Sequence, residues 1–512
     1  MRLHQHWRHI RFAMAIAAGA VLPAAAWANS PMAHGATIVQ LASGRITGVQ
    51  QRGITHFDDL PFAASADDDV LATSRHDSAD ARARHAQAPL VHAPRVQTRR
   101  AQTPRVQAGR GVRPACPTLS VWTPRVPEPN GNASRTAQTM LPVLIWIDSS
   151  DHAQPSAHDD GARLAEKAVV VVVLRHGTAA SACLTAPSNT LNRALTVQLA
   201  ALIWVNRNIA SFGGDSARVT IVGIGAGAAS AQALLAMPRA RRYFSQVAAF
   251  DGHALRALPA CTMPERVPVR ADDDVDGSVC IDGKLLQAQI HQSARAGGLA
   301  PVPVLLGLSR QPERSNGGLA SQCHDSTSAS QLTMEQLAQR AHYAQWLAAE
   351  FGPLARDAAH FYPPTTPCRS YLLARYDRQQ TYGVLRWADL QTKSSAAVFL
   401  AVASAAASAA GTPQQIDRGA WSALLMNNPN ALTARGSPPD VDLLMLADTL
   451  SDYLVAFATR GDPSTPGRPQ WPAYDSGIRN YLELSGNVHT ARDPLREVLE
   501  LHAARSEGTW RP

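Results

Sequence analysis

One stretch holds a strand, a glycine-rich turn and a helix at the spacing active sites use: Val219 to Leu235, VTIVGIGAGAASAQALL. With serine at the centre of the turn, Gly-x-Ser-x-Gly would raise a nucleophilic hydroxyl above a sheet on a strained bend. The centre is Gly225, which has no side chain to acylate. As written, Gly223-x-Gly225-x-x-Ala228 instead matches a dinucleotide-binding turn, in which glycines let a pyrophosphate reach the backbone at a helix N-terminus. The next strand-like run, Val247 to Phe250, ends in Asp251, about where that fold places a ribose-binding carboxylate. Other chemistry-bearing residues are sparse. His152 follows Asp148 and Asp151, His176 follows an apolar run and His253 follows Asp251, but none of these spacings is a recognised metal-ligand pattern, so no metal or cofactor is expected. Ser230 falls on the helix after the turn and reads as packing.

These residues need a scaffold, and the flanking sequence supplies one. Leu141 to Ile147 and Ala168 to Leu174 are near-continuous apolar runs, as expected of parallel strands covered on both faces. Leu195, Leu199, Leu202, Val205 and Ile209 recur at helical spacing up to Ser211. Strand, turn and helix alternate as an α/β fold with a central, mostly parallel sheet requires.

The block from Asn192 to Gln198, then LAALIWVNRNIASFGGDSARVTIVG up to Gly223 and AGAAS, resembles the type-B carboxylesterase (cholinesterase-like) family of α/β-hydrolases, most specifically at WVxxNIxxFGGDxxxVTI. Ile38 to Ala64 resembles the family's opening β-hairpin, and Cys116 to Pro124 resembles its Cys-Leu-Tyr-Leu-Asn-Val-Trp-Thr-Pro strand. Val279 to Gly283, Ala300 to Gly307, Ser451 to Phe457, Arg460 to Pro463 and Gln470 to Tyr474 resemble later family segments. The weakest stretches are Ser65 to Pro114 and Ala396 to Arg435. The first is Arg/Ala/Gln/Pro-rich, reads as a mobile surface loop and replaces part of the family's gorge wall. The resemblance favours an esterase turn over a cofactor turn.

Carried over one position at a time, the family's acyl-transfer roles fall on unsuitable residues. Its Gly-Glu-Ser-Ala-Gly is Gly223-Ile224-Gly225-Ala226-Gly227, so the nucleophile falls on Gly225. The acid falls on Pro312, or on Glu313 if the loop shifts, and the histidine falls on Ser422 within Gly419-Ala-Trp-Ser422. The oxyanion motif His-Gly-Gly-Gly is Asp148-Ser149-Ser150-Asp151, which would set carboxylates beside a developing anion. The resemblance therefore implies a pseudo-esterase that binds a ligand or protein partner. The alternative is an ester hydrolase with relocated machinery at Glu313, His152 or His253.

Composition narrows the remaining classes. The chain of 512 residues carries a formal charge of +8, with 45 Arg and 3 Lys, but no recognisable nucleic-acid module, so no nucleic-acid partner is expected. Arg2, Arg8 and Arg11 precede apolar Phe12 to Leu22 and the small-x-small Ala26-Trp27-Ala28, which reads as a signal peptide at 1–28 and a periplasmic or secreted product. No later run is apolar enough to span a bilayer. Export makes the six cysteines candidates for disulfides, with Cys261–Cys280 and Cys323–Cys368 as trial pairings and Cys116 and Cys183 left over. In the family the counterpart of Cys116 bonds to an upstream cysteine, and none precedes it here. The expected organisation is thus a signal peptide at 1–28, an N-terminal hairpin at 29–64, a low-complexity loop at 65–114 and the remainder of one hydrolase-like domain at 115–512.

Overall fold

The computed structural model describes residues 35–62, 117–127, 139–148, 160–175, 192–252, 254–255, 258, 260, 279–309, 334–403, 418–433, 438–485, 488–493 and 496–509. Twelve strands form a single sheet in these residues: β1 (Gly35–Leu41), β2 (Gly44–Gln51), β3 (Ile54–Pro61), β4 (Thr118–Thr123), β5 (Leu141–Asp148), β6 (Val170–Arg175), β7 (Gly214–Ile224), β8 (Gln246–Phe250), β9 (Val304–Ser309), β10 (Val398–Ala403), β11 (Asn480–Leu484) and β12 (Val488–Arg492). Their spatial order is β1-β2-β3-β4-β6-β5-β7-β8-β9-β10-β11-β12. From β6 to β11 every neighbouring pair is parallel, whereas β1 to β4 form an antiparallel meander and β12 closes the far edge antiparallel to β11. The expected hairpin at the N-terminal edge thus gains a third strand, because β3 pairs back on β2 before meeting β4.

The apolar runs are long because each strand feeds two layers. Val143, Ile145 and Ile147 of β5 join one buried cluster while Leu144 and Trp146 join the other, and Val170, Val172 and Leu174 alternate with Val171 and Val173 in β6. Side chains alternate across a strand, so a sheet covered on both faces needs apolar residues at both parities.

Helices of seven or more residues cover the two faces and one end. These are α1 (Arg193–Asn208), α2 (Ala226–Ala236), α3 (Met334–Phe351), α4 (Ala355–Phe361), α5 (Pro367–Tyr376), α6 (Gly383–Gln391), α7 (Arg418–Leu425), α8 (Val441–Arg460) and α9 (Arg496–Thr509). Leu195, Leu199 and Leu202 of α1 pack on one face of the sheet, and Leu443, Leu446, Leu450, Tyr453 and Phe457 of α8 on the other. A third, smaller cluster gathers Tyr343, Leu347, Phe351, Tyr362 and Leu501 at the helical end. No helix among the described residues is long and apolar enough to cross a membrane. Cys280 and Cys368 are each disulfide-bonded. The segment 1–28, expected to be a signal peptide, and the stretch 65–114, expected to be a loop, lie outside the described residues.

Candidate functional site

In an open parallel sheet, ligands meet the carboxyl ends of the strands. At that edge β7 ends in the glycine turn. Gly225 adopts φ 60° and ψ −118° and caps α2 with no side-chain hydrogen bond. L side chains rarely adopt that φ, so glycine holds the turn without the strain serine would bear there. The turn is pinned by hydrogen bonds: Gly225 N–H donates to the Phe250 carbonyl at 2.8 Å, and its own carbonyl accepts from Ala228 N–H at 3.1 Å. Gly227 is required for a different reason. A Cβ there would stand 2.2 Å from the Ile147 carbonyl oxygen, so only a bare backbone lets α2 approach β5 this closely.

Asp251, which the cofactor reading set aside above would have placed at a ribose, is engaged inside the protein. It is fully buried at φ 48°, and its carboxylate is held by Ser309 at the end of β9. The Ser309 N–H donates to Oδ1 at 2.7 Å and the Ser309 hydroxyl donates to Oδ2. Trp421 of α7 donates its indole N–H to the Ser309 hydroxyl oxygen at 3.0 Å, and Tyr376 at the end of α5 donates its hydroxyl to the Ser309 carbonyl. The Trp421 ring lies against Phe250 at 4.8 Å between centroids. Four elements therefore converge on one buried polar knot: the ends of β8, β9 and α5, and the first turn of α7.

The knot brings together the described elements nearest to the positions singled out in the sequence. Gly225 bonds to Phe250, the residue before Asp251, and Ser309 precedes Pro312 and Glu313 by three and four residues. Ser422 adjoins Trp421 on α7, is buried, and accepts through its carbonyl from Met426 N–H at 2.9 Å. The turn, the end of β9 and α7 thus meet at one edge of the sheet. Pro312, Glu313, His152, His176, His253, Ser149, Ser150 and Asp151 lie outside the described residues. Asp148 is the last residue of β5, in register with Arg175 at the end of β6. Ser230 accepts from Gln198 Nε2 at 3.0 Å inside the core, in keeping with its packing role.

Beside this edge lies a charged group that the sequence did not signal. Asp58 accepts from Arg175 Nη1 at 2.9 Å and from the Ser120 hydroxyl. Burial pushes the Asp58 carboxyl up, but the Ser120 hydrogen bond and Arg175 outweigh it and hold the carboxyl below its ordinary range. His56 stacks on Trp122 at 4.4 Å, and burial keeps its imidazole below its usual pKa against the pull of Asp58. Among the described residues no three His, Cys, Asp or Glu side chains cluster as metal ligands would.

The knot escaped sequence reasoning because Tyr376 and Ser309 belong to no motif. The one available signal was an aspartate placed directly after the apolar run Val247 to Phe250, a position that calls for buried hydrogen-bond partners.

Comparison with known proteins places the scaffold. Residues 35–266 match the carboxylesterase family model. The para-nitrobenzyl esterase of Bacillus subtilis (strain 168) is 23% identical over 440 residues, covering 75% of this chain and 81% of that protein. A probable N-octanoylanthranilate hydrolase, AqdA2 of Rhodococcus erythropolis, is 36% identical over 137 residues, which span 26% of this chain and only 28% of that relative. The Geobacillus stearothermophilus carboxylesterase EST55 superposes with a TM-score of 0.62 at 20% identity, covering 91% of this chain and 99% of that one.

Proposed function

We propose that this chain is a pseudo-esterase of the carboxylesterase family: exported, without acyl-transfer chemistry, and acting by binding a ligand or protein partner, a reading supported by the family match over residues 35–266 and by the α/β-hydrolase fold. The observation that carries the reading is Gly225. It occupies the apex of the strand-turn-helix where this chemistry needs a nucleophile, and it offers no side chain. In a serine hydrolase, loss of the nucleophile alone costs about a million-fold in turnover, roughly 8 kcal/mol of barrier. The substitutions at Pro312 or Glu313, at Ser422, and at Asp148, Ser149, Ser150 and Asp151 point the same way. Export follows from the N-terminal segment, and the trial disulfides Cys261–Cys280 and Cys323–Cys368 belong to the same proposal.

The test uses purified protein from residue 29 onward. Short-chain nitrophenyl esters should turn over no faster than in buffer, and a fluorophosphonate probe should leave the protein unlabelled. Stoichiometric labelling at any serine would overturn the reading and favour relocated machinery.

A further inference from the structure

At the helical end of the molecule, Tyr362, directly after α4, is fully buried between two side chains that titrate. Its hydroxyl lies 3.0 Å from Asp377 Oδ2 and 2.9 Å from His502 Nε2 of α9. Its carbonyl accepts from the Tyr343 hydroxyl of α3 at 2.9 Å, and Thr381 donates to Asp377 Oδ1 at 3.3 Å. Asp377 opens a π-helical turn, Asp377–Tyr382, between α5 and α6. Such turns inside helices frequently mark functional positions.

We propose that Asp377, Tyr362 and His502 form a buried relay whose hydrogen bonds reverse direction on protonation, and that the π-helical turn transmits this reversal from the docked α9 to the knot at the end of β9.

A phenol carries one proton, so Tyr362 cannot donate to both neighbours at once. With Asp377 ionised, Tyr362 donates to the carboxylate and accepts from His502 Nε2–H. With Asp377 protonated, the acid donates to the Tyr362 oxygen, Tyr362 donates to a bare Nε2, and neutral His502 carries its proton on Nδ1. One proton is gained at Asp377, and the imidazole changes tautomer without changing charge.

Burial lifts the Asp377 carboxyl to about 6, against the lowering effect of its hydrogen bonds from Tyr362 and Thr381. Burial, with Arg505 and Arg378 nearby, holds His502 down to about 3, so the ring stays neutral through the reversal. Burial, Asp377 and Tyr343 together push the Tyr362 phenol up, so it keeps its proton. Among the described residues the charged groups facing the relay are Glu350 on α3, Arg378 in the turn and Arg505 on α9. Glu350 binds Arg378 at 2.6 Å and Arg505 at 2.9 Å.

The path to the knot is short. Tyr376, the residue before Asp377, donates to the Ser309 carbonyl, and the Gln379 carbonyl within the turn accepts from Ala254 N–H at 3.3 Å. A shift of the turn therefore reaches Ser309 and, through its hydroxyl, the indole of Trp421.

The experiment follows imidazole and indole nitrogen resonances of the full chain, labelled at His and Trp, from about pH 5 to about pH 8. Loss of signal in His502→Gln and Trp421→Phe assigns the two sites. The expected result is Nε2–H at His502 above a midpoint near pH 6 and Nδ1–H below it, with the Trp421 indole moving at the same midpoint. Asp377→Asn should abolish both changes. Tyr362→Phe, which removes only a hydroxyl, should do the same and gives the answer even if the first variant fails to fold. A single His502 tautomer across the range, or an indole resonance that stays still while the tautomer changes, overturns the proposal.

Discussion

Replacing Gly225 by alanine or serine separates the geometry of the turn from its chemistry. At φ 60°, ψ −118°, a side chain stores about 1–3 kcal/mol of backbone strain. Against this, removing a glycine lowers the entropy of the unfolded chain and returns roughly 0.4–1 kcal/mol. The net expectation from these two backbone contributions is a loss of about 0.5–2 kcal/mol for either Gly225→Ala or Gly225→Ser. Gly227→Ala supplies the contrast. Its new Cβ would stand 2.2 Å from the Ile147 carbonyl oxygen, a backbone atom of a central strand that cannot step aside. That variant should lose about 3 kcal/mol or more. Urea unfolding followed by far-ultraviolet circular dichroism measures all three. A Gly225→Ala protein more stable than the parent would refute the reasoning, since a compatible φ leaves only the favourable unfolded-state term. The serine variant also tests the pseudo-esterase proposal, under which it should stay unlabelled by fluorophosphonate.

Asp251→Ala should cost about 3–4 kcal/mol in the same unfolding assay, because it strips a buried carboxylate from the Ser309 N–H and hydroxyl; Asp251→Asn keeps an acceptor and should cost less, and an unchanged urea midpoint for Asp251→Ala would mean the knot contributes little. Lys167 and Arg468 both bind Asp448 and Asp452, tying the start of β6 to α8 and to the loop before Trp471. These groups are partly exposed, so a double-mutant cycle between Lys167 and Asp452 should return only about 0.2–1 kcal/mol of coupling, shrinking with salt. The hydrogen bond from Lys167, aided by Arg468 and opposed by burial, holds the Asp448 carboxyl below its ordinary value of 3.8. Its contribution to stability is therefore present above that value and lost as pH falls through the lower folded one. Lys167→Met should flatten that acid limb of the urea midpoint, and an unchanged limb would assign it to other carboxylates.

What could be read in the sequence follows from how local each cause is. β5 and β6 announced themselves because a two-sided sheet demands an apolar residue at every position, and Val170 to Leu174 meets that demand. α1 announced itself through Leu195, Leu199 and Leu202. The turn at Gly225 was legible because its cause, a positive φ between a strand and a helix, is local too. The partners of Asp251 could not be read from its offset to the glycine turn, because that offset says nothing of burial and the residue that claims its carboxylate lies 58 positions away. The relay of Tyr362, Asp377 and His502 was invisible for the same reason: two of its members are 140 residues apart.

That locality bears on how the turn holds with glycine at its apex. The bend at Gly225 is held by its hydrogen bond to Phe250 and by the close seat of Gly227 on Ile147, and neither contact involves the side chain at the apex. The fold therefore gains nothing from a nucleophile there, and a serine would only add strain. Once chemistry is not required, glycine is the residue this backbone favours. The same contacts keep the carboxyl ends of β7, β8 and β9 together, so the binding surface proposed at this edge of the sheet would not depend on a side chain at the apex. A Gly225→Ser protein that is destabilised yet still unlabelled would show that packing, and not a latent reaction, maintains the bend.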